Sequence, residues 1–119
     1  MKKYILCVDD EPINLRILND LLEEKYDLEF AKDGKECLTK IENKTPDLLL
    51  LDVDLPDING LKLCKQLKGQ QSTSKLPIVL LSGHALPHHI KEGEKAGANR
   101  YVTKPYDIDL LEELIEELL

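Results

Sequence analysis

Apolar residues in this chain fall into two alternating patterns. Short unbroken runs alternate with longer stretches in which they recur every three or four positions. Tyr4 to Val8 is a bounded run that stops at Asp9-Asp10. Pro12 to Glu24 then carries Ile13, Ile17, Leu18, Leu21 and Leu22 at helical spacing, with Pro12 suited to the first turn. Leu28 to Ala31 is a weak strand. Asp33-Gly34-Lys35-Glu36 opens a second helix, with Asp33 as cap and Glu36 reaching back; Cys37, Leu38 and Ile41 form its buried face. The run Leu48 to Leu51 stops at Asp52; leucine alone does not choose strand over helix, but Pro46 and Pro56 leave room only for a short segment, which favours a strand. A helix over Asn59 to Lys68 buries Leu61, Cys64 and Leu67, and a polar loop follows from Gly69 to Ser74. Pro77 to Leu81 is a further strand, closed by Ser82-Gly83; Pro87 to Ala96 is a weaker helix and Asn99 to Thr103 the last strand. Asp107 caps a final helix with Leu110, Leu111, Leu114, Ile115 and Leu118 on one face.

Strand and helix thus alternate five times. Such a series implies right-handed crossovers and a parallel sheet. The unbroken leucine run fits a strand covered on both faces. Five strands are too few for an eight-stranded barrel. The expectation is an α/β, doubly wound, flavodoxin-like sheet in the order 2-1-3-4-5, formed as one domain over residues 1–119. Composition narrows the partners. Sixteen basic against 23 acidic residues give a net charge of −7, which opposes direct binding of nucleic acid or an anionic membrane. Aromatic residues are 4% of the chain, too few for base stacking. Cys7, Cys37 and Cys64 have no metal or redox spacing and read as buried reduced thiols, in keeping with the cytoplasm. The apolar run after Lys3 is too short for a signal-peptide core, and none is long enough to span a bilayer.

Candidate chemistry comes from where the polar residues stand. Asp9 and Asp10, Asp52, Ser82 and Lys104 each follow or close an apolar strand. In a parallel sheet those ends share one edge, the edge at which open α/β sheets bind ligands. Converging carboxylates repel one another unless a cation lies among them, and oxygen ligands suit Mg²⁺. Mg²⁺ held by few carboxylates usually shares its shell with a phosphoryl group. Lys104 would then offset charge on that group while Ser82 donates to it. A carboxylate facing an in-line phosphoryl donor can itself be the nucleophile.

These stretches, in this order, resemble a response regulator receiver domain, the phosphoacceptor module of two-component signalling. The resemblance is carried by Ile5 to Pro12 (ILCVDDEP), Leu48 to Gly60 (LLLLDVDLPDING), Ile78 to Gly83 (IVLLSG), Ala96-Gly97-Ala98 and Tyr101 to Pro105 (YVTKP). It implies that Asp52 accepts a phosphoryl group from a sensor histidine kinase or a histidine phosphotransfer protein. It also implies that Asp10, Asp52 and the Asp54 carbonyl ligate Mg²⁺, with Asp9 acting mainly through water. Lys104 would pair with the phosphoryl group and Asp52, Ser82 would swing toward the phosphoryl group, and Tyr101 would be the switch aromatic. The Lys104-Pro105 bond would be cis. Phosphorylation would remodel the face of the last two helices for an output partner or a second copy of the chain, with the first helix and nearby loops docking the donor.

The chain would then be a signalling module that catalyses its own phosphotransfer and dephosphorylation, not an enzyme acting on other substrates. It departs from the usual pattern at Ser82, where Thr is commoner, at Gly83, where Ala is frequent, and at Leu55, where Met is common. The Asp54 side chain adds a fourth carboxylate near the site. His84, His88 and His89 flank Pro87 and read as a solvated loop in preference to a metal site. Leu48 to Asp54 also resembles the nucleophile motif of haloacid-dehalogenase-type phosphatases, but that reading leaves Asp9-Asp10 unused. A flavin-phosphate binder would put its phosphate beside three carboxylates.

Overall fold

A computed structural model describes residues 2–119. Ten elements alternate: β1 (Tyr4–Val8), α1 (Pro12–Leu22), β2 (Asp27–Ala31), α2 (Gly34–Asn43), β3 (Leu48–Asp52), α3 (Gly60–Lys68), β4 (Ile78–Ser82), α4 (Pro87–Lys95), β5 (Arg100–Thr103) and α5 (Ile108–Leu118). The strands form one parallel sheet in the order β2-β1-β3-β4-β5.

The leucine run shows why the sheet needs helices on both faces. Side chains of a strand alternate between faces. Leu49 and Leu51 join Leu6, Val8, Ile78 and Leu80 in a core with Cys37 and Ile41 of α2 and Leu63, Cys64 and Leu67 of α3. Leu48 and Leu50 join Ile5, Cys7, Val79 and Leu81 in a second core with Leu18 and Leu22 of α1 and Leu111 and Ile115 of α5. The central strands β1, β3 and β4 are buried at every position, whereas β2, at an edge, alternates between exposed and covered residues.

Three helical faces differ from the pattern expected. Ile13 and Ile17 of α1 are 65% and 40% exposed, and Leu110 of α5 is 62% exposed. Each helix meets the flat sheet along a narrow stripe, Leu18 and Leu22 in α1, Leu111 and Ile115 in α5. A residue one position off that stripe is turned about 100° away. In α3, Leu63 is buried while Leu61 is only partly covered. Helix α1 ends at Leu22, two residues before Glu24.

Caps form largely as the residues dictate. Asp33 accepts the Glu36 amide at 2.8 Å, while Glu36 reaches back to the Lys32 amide at 3.4 Å. Asp107 accepts the Asp109 and Leu110 amides at 2.9 and 3.2 Å. In the loop after α3, Thr73 is buried, its hydroxyl donating to the Leu67 carbonyl. Gly97 turns the chain from α4 toward β5 at φ +94°, a conformation that suits glycine.

Candidate functional site

The C-terminal ends of β1, β3, β4 and β5 lie side by side, because register pairs Val8 with Leu51, Asp52 with Leu81 and Ser82 with Thr103. Asp9 leaves β1 buried. Its Oδ1 accepts the Glu11 amide at 3.0 Å and its Oδ2 accepts Lys104 Nζ at 3.0 Å. Asp52 closes β3, also buried, with Oδ1 accepting the Asp54 amide at 3.2 Å and lying 3.4 Å from Lys104 Nζ. Asp10 is exposed at the rim, and carboxylate oxygens of Asp9, Asp10 and Asp52 lie within 4.8 Å of one another. Three carboxylates supply only oxygen ligands, the donor set of a hard divalent cation.

Lys104 is aimed by its backbone as well as its charge. Its amide donates to the Ser82 carbonyl at 2.7 Å, and the Lys104-Pro105 bond is cis. Burial works against the ammonium, but the hydrogen bond to Asp9 and the charges of Asp52 and Asp9 prevail and hold its pKa above the usual lysine range. Burial acts on Asp52 in the opposite sense. Loss of solvent, aided by the Asp9 charge, pushes the Asp52 carboxyl up to about 6, although the Asp54 amide and Lys104 pull it down.

The other expected site residues lie around this pocket. Ser82 is fully buried at the end of β4, and its Oγ accepts the His84 amide at 3.0 Å. Tyr101 is half-buried on β5, with its hydroxyl donating to the His84 carbonyl at 2.7 Å. The Asp54 carboxylate is not drawn into the acidic cluster; its Oδ1 lies 3.3 Å from His84 Nε2, at the surface. That position gives no support to a phosphatase reading, in which Asp54 would serve Asp52 as acid and base.

One contributor was not read from the residues, and a second, His84, was read only as part of a solvated loop. Asp57, in the loop after β3, accepts the Gly34 and Lys35 amides at 2.8 and 3.0 Å, tying that loop to the start of α2. These bonds, the Gly34 one foremost, hold the Asp57 carboxyl below its ordinary range. The signal would have been an acidic residue in a loop adjacent to a helix start, but the spacing between Gly34 and Asp57 hides it. His84 supplies both a side-chain partner for Asp54 and a carbonyl for Tyr101.

Comparison with known proteins agrees with this geometry. The family model described as "Response regulator receiver domain" matches residues 5–116. The Response regulator ArlR of Staphylococcus saprophyticus is 38% identical over 116 residues, 97% of this chain and 51% of that protein. The chain therefore spans about half the length of that relative. Among solved structures, the signal receiver domain of a signal transduction histidine kinase from Syntrophus aciditrophicus superposes with a TM-score of 0.91 at 32% identity, covering 98% of this chain and 89% of that one. The chemotaxis response regulator CheY4 of Vibrio cholerae gives 0.92 at 27% identity, covering 100% of both chains. Five parallel strands in this order, an acidic edge with one lysine and a family match over nearly every residue lead to one assignment: the chain belongs to the response regulator receiver domain family of two-component signalling.

Proposed function

We propose that the chain acts over residues 1–119 as one phosphorylation-dependent switch, with Asp52 as phosphoacceptor. The observation that carries this reading is the shared ammonium: Lys104 lies 3.0 Å from buried Asp9 and 3.4 Å from Asp52. A lysine held between two carboxylates at a sheet edge is placed to meet a third anion, a phosphoryl group on Asp52.

The donor is a phosphohistidine on a sensor histidine kinase or histidine phosphotransfer protein. Asp52 engages Oδ1 with the Asp54 amide and Lys104, and Oδ2 makes no hydrogen bond among the described residues. Oδ2 therefore attacks phosphorus in line. The O–P bond forms as the P–N bond to the donor histidine breaks, and the imidazole leaves with that electron pair. Lys104 offsets the charge carried to the Asp52 side. The oxygen-only donor set fits Mg²⁺, which Asp10, Asp52 and the Asp54 carbonyl would hold directly and Asp9 mainly through water. When bound, the cation neutralises the approaching phosphoryl oxygens. Water later attacks the acyl phosphate and resets the switch.

Ser82 and Tyr101 relay the change. Both are tied to His84, through its amide and its carbonyl, so a shift of Ser82 toward the phosphoryl group moves the loop that holds the phenol. That motion remodels the face of α4 and α5, to be read by an output partner or by a second copy in a homodimer. The donor docks on α1 and nearby loops. The switch operates in the cytoplasm without binding nucleic acid itself; no helix among the described residues is long and apolar enough to cross a membrane. The test is phosphate uptake from acetyl phosphate with Mg²⁺. The chain takes up one acid-labile phosphate, and Asp52→Asn takes up none; stoichiometric labelling of that variant refutes the assignment.

A further inference from the structure

The histidines near Pro87 are not needed by the reaction above, yet the fold gathers them beside the switch tyrosine. His84, from the loop after β4, lies with Nε2 3.3 Å from Oδ1 of Asp54, from the loop after β3. The His84 and His89 ring centroids are 4.9 Å apart. His89, in the first turns of α4, has a buried Nδ1 with no hydrogen-bond partner. Asp54, His84, His89, Glu92 and Tyr101 together line a cavity of about 140 Å³. Glu92 follows His89 by three positions, so both stand on one side of α4. The His88 and His89 ring centroids are 4.0 Å apart with the planes tilted by 48°, but His88 does not line the cavity.

We propose that this cavity is a second cation site, selective for a first-row transition ion such as Zn²⁺, with His84, His89, Asp54 and Glu92 as its ligand set. The two imidazole nitrogens are borderline ligands that favour Zn²⁺ over Mg²⁺, in contrast to the all-oxygen cluster of Asp9, Asp10 and Asp52. One edge of a tetrahedron is already in place, although no three of these four ligand groups come within 4.8 Å of one another as they stand. Arms of about 2.0 Å give ligand edges of about 3.3 Å, the separation already present between His84 and Asp54. Two imidazoles on one such ion hold their centroids about 5 Å apart, close to the 4.9 Å of His84 and His89. Completing the set requires the side chains to rotate inward, for which His84 and Asp54, both half-exposed, and Glu92, at the surface, have room. On binding, the ion replaces the His84–Asp54 hydrogen bond and both imidazoles are neutral, each keeping one N–H. The ion would join the loop after β3, the loop after β4 and α4 across Tyr101.

The test is Zn²⁺ titration of the purified chain in excess Mg²⁺, which keeps the all-oxygen cluster occupied. Binding is followed by competition with a chromophoric chelator and by the imidazole NMR signals. One Zn²⁺ binds per chain, and the His84 and His89 rings shift. His84→Ala and His89→Ala each weaken binding more than about tenfold, since loss of even a residue behind a ligand costs that much. His88→Ala and Asp10→Asn leave it intact. The NMR shifts in the unaltered chain stand even where a variant folds poorly. The site is overturned if no Zn²⁺ binds in excess Mg²⁺, if ring signals of His84 and His89 stay still, or if Asp10→Asn removes the binding that His84→Ala leaves.

Discussion

Asp52 carries opposing demands within one side chain. The phosphoacceptor role proposed for it requires an anion, yet the carboxylate is almost fully covered at the end of β3 and lies near Asp9. Burial therefore raises its pKa from 3.8 to about 6, and the sign of the stability effect follows. Below about pH 3 the group is protonated in both folded and unfolded chains and contributes no difference. Between pH 3.8 and about 6 the folded chain holds the proton more tightly, so stability falls as pH rises through that window. Above it the folded state bears the full cost of the buried charge, about 3 kcal/mol in magnitude. Asp52→Asn removes that charge while keeping the shape. In EDTA at pH 7 the variant should exceed the unaltered chain in unfolding free energy by about 3 kcal/mol, a gap that closes by about pH 3. Urea denaturation at the two pH values measures it. A gap that persists undiminished at about pH 3 would place the effect elsewhere than in the carboxylate charge.

At the scale of elements, the site depends on how closely α3 starts behind β3. Gly60 opens α3, its amide donating to the Val53 carbonyl at 2.7 Å. A Cβ at that position would stand 2.7 Å from Val53 Cα and nearer still to the Asp52 carbonyl oxygen, so backbone would have to move. Gly83, one residue after β4, has nothing within 4 Å of the corresponding point. Gly60→Ala should therefore cost about 3 kcal/mol and lower phosphate uptake by displacing Asp52, while Gly83→Ala changes stability by under about 1 kcal/mol. Equal losses in chemical denaturation would show that contact at Gly60 does not set the spacing. These elements were largely legible in the residues. Runs such as Tyr4–Val8 and Leu48–Leu51 admit only short buried strands, and Asp33 and Asp107 mark helix starts by their own chemistry. Helix faces were less so. Helices α1 and α5 carry more apolar residues than one contact stripe holds, and only packing decides that Leu18 is covered and Ile17 is not. The Asp57 clamp on α2 and the His84–Asp54 pair were hidden for a related reason: their partners are far apart in sequence, in loops whose shape local patterns do not encode.

Across the whole molecule, the acidic cluster exists only because the sheet is assembled. Asp9 and Asp10 follow β1, Asp52 closes β3, and Lys104 arrives from β5, after most of the chain has passed. This convergence was legible at the level of topology: once the strand order is granted, polar residues at strand ends must share an edge. In the unfolded chain the same carboxylates are dispersed and hold a cation weakly. A cation that binds the folded state alone shifts the unfolding equilibrium by mass action. Mg²⁺ at ten times its dissociation constant should add about 1.4 kcal/mol, which for a domain of this size raises Tm by roughly 5 °C. EDTA should reverse the rise. Asp10→Asn removes a carboxylate at the exposed rim of the cluster and leaves the Asp9–Lys104 contact untouched, so it should abolish the Mg²⁺ effect while the variant remains folded. Thermal scans of both proteins with and without Mg²⁺ decide the matter. An equal rise in the Asp10→Asn variant would mean that the cation stabilises the chain, of net charge −7, by general screening and not through this pocket.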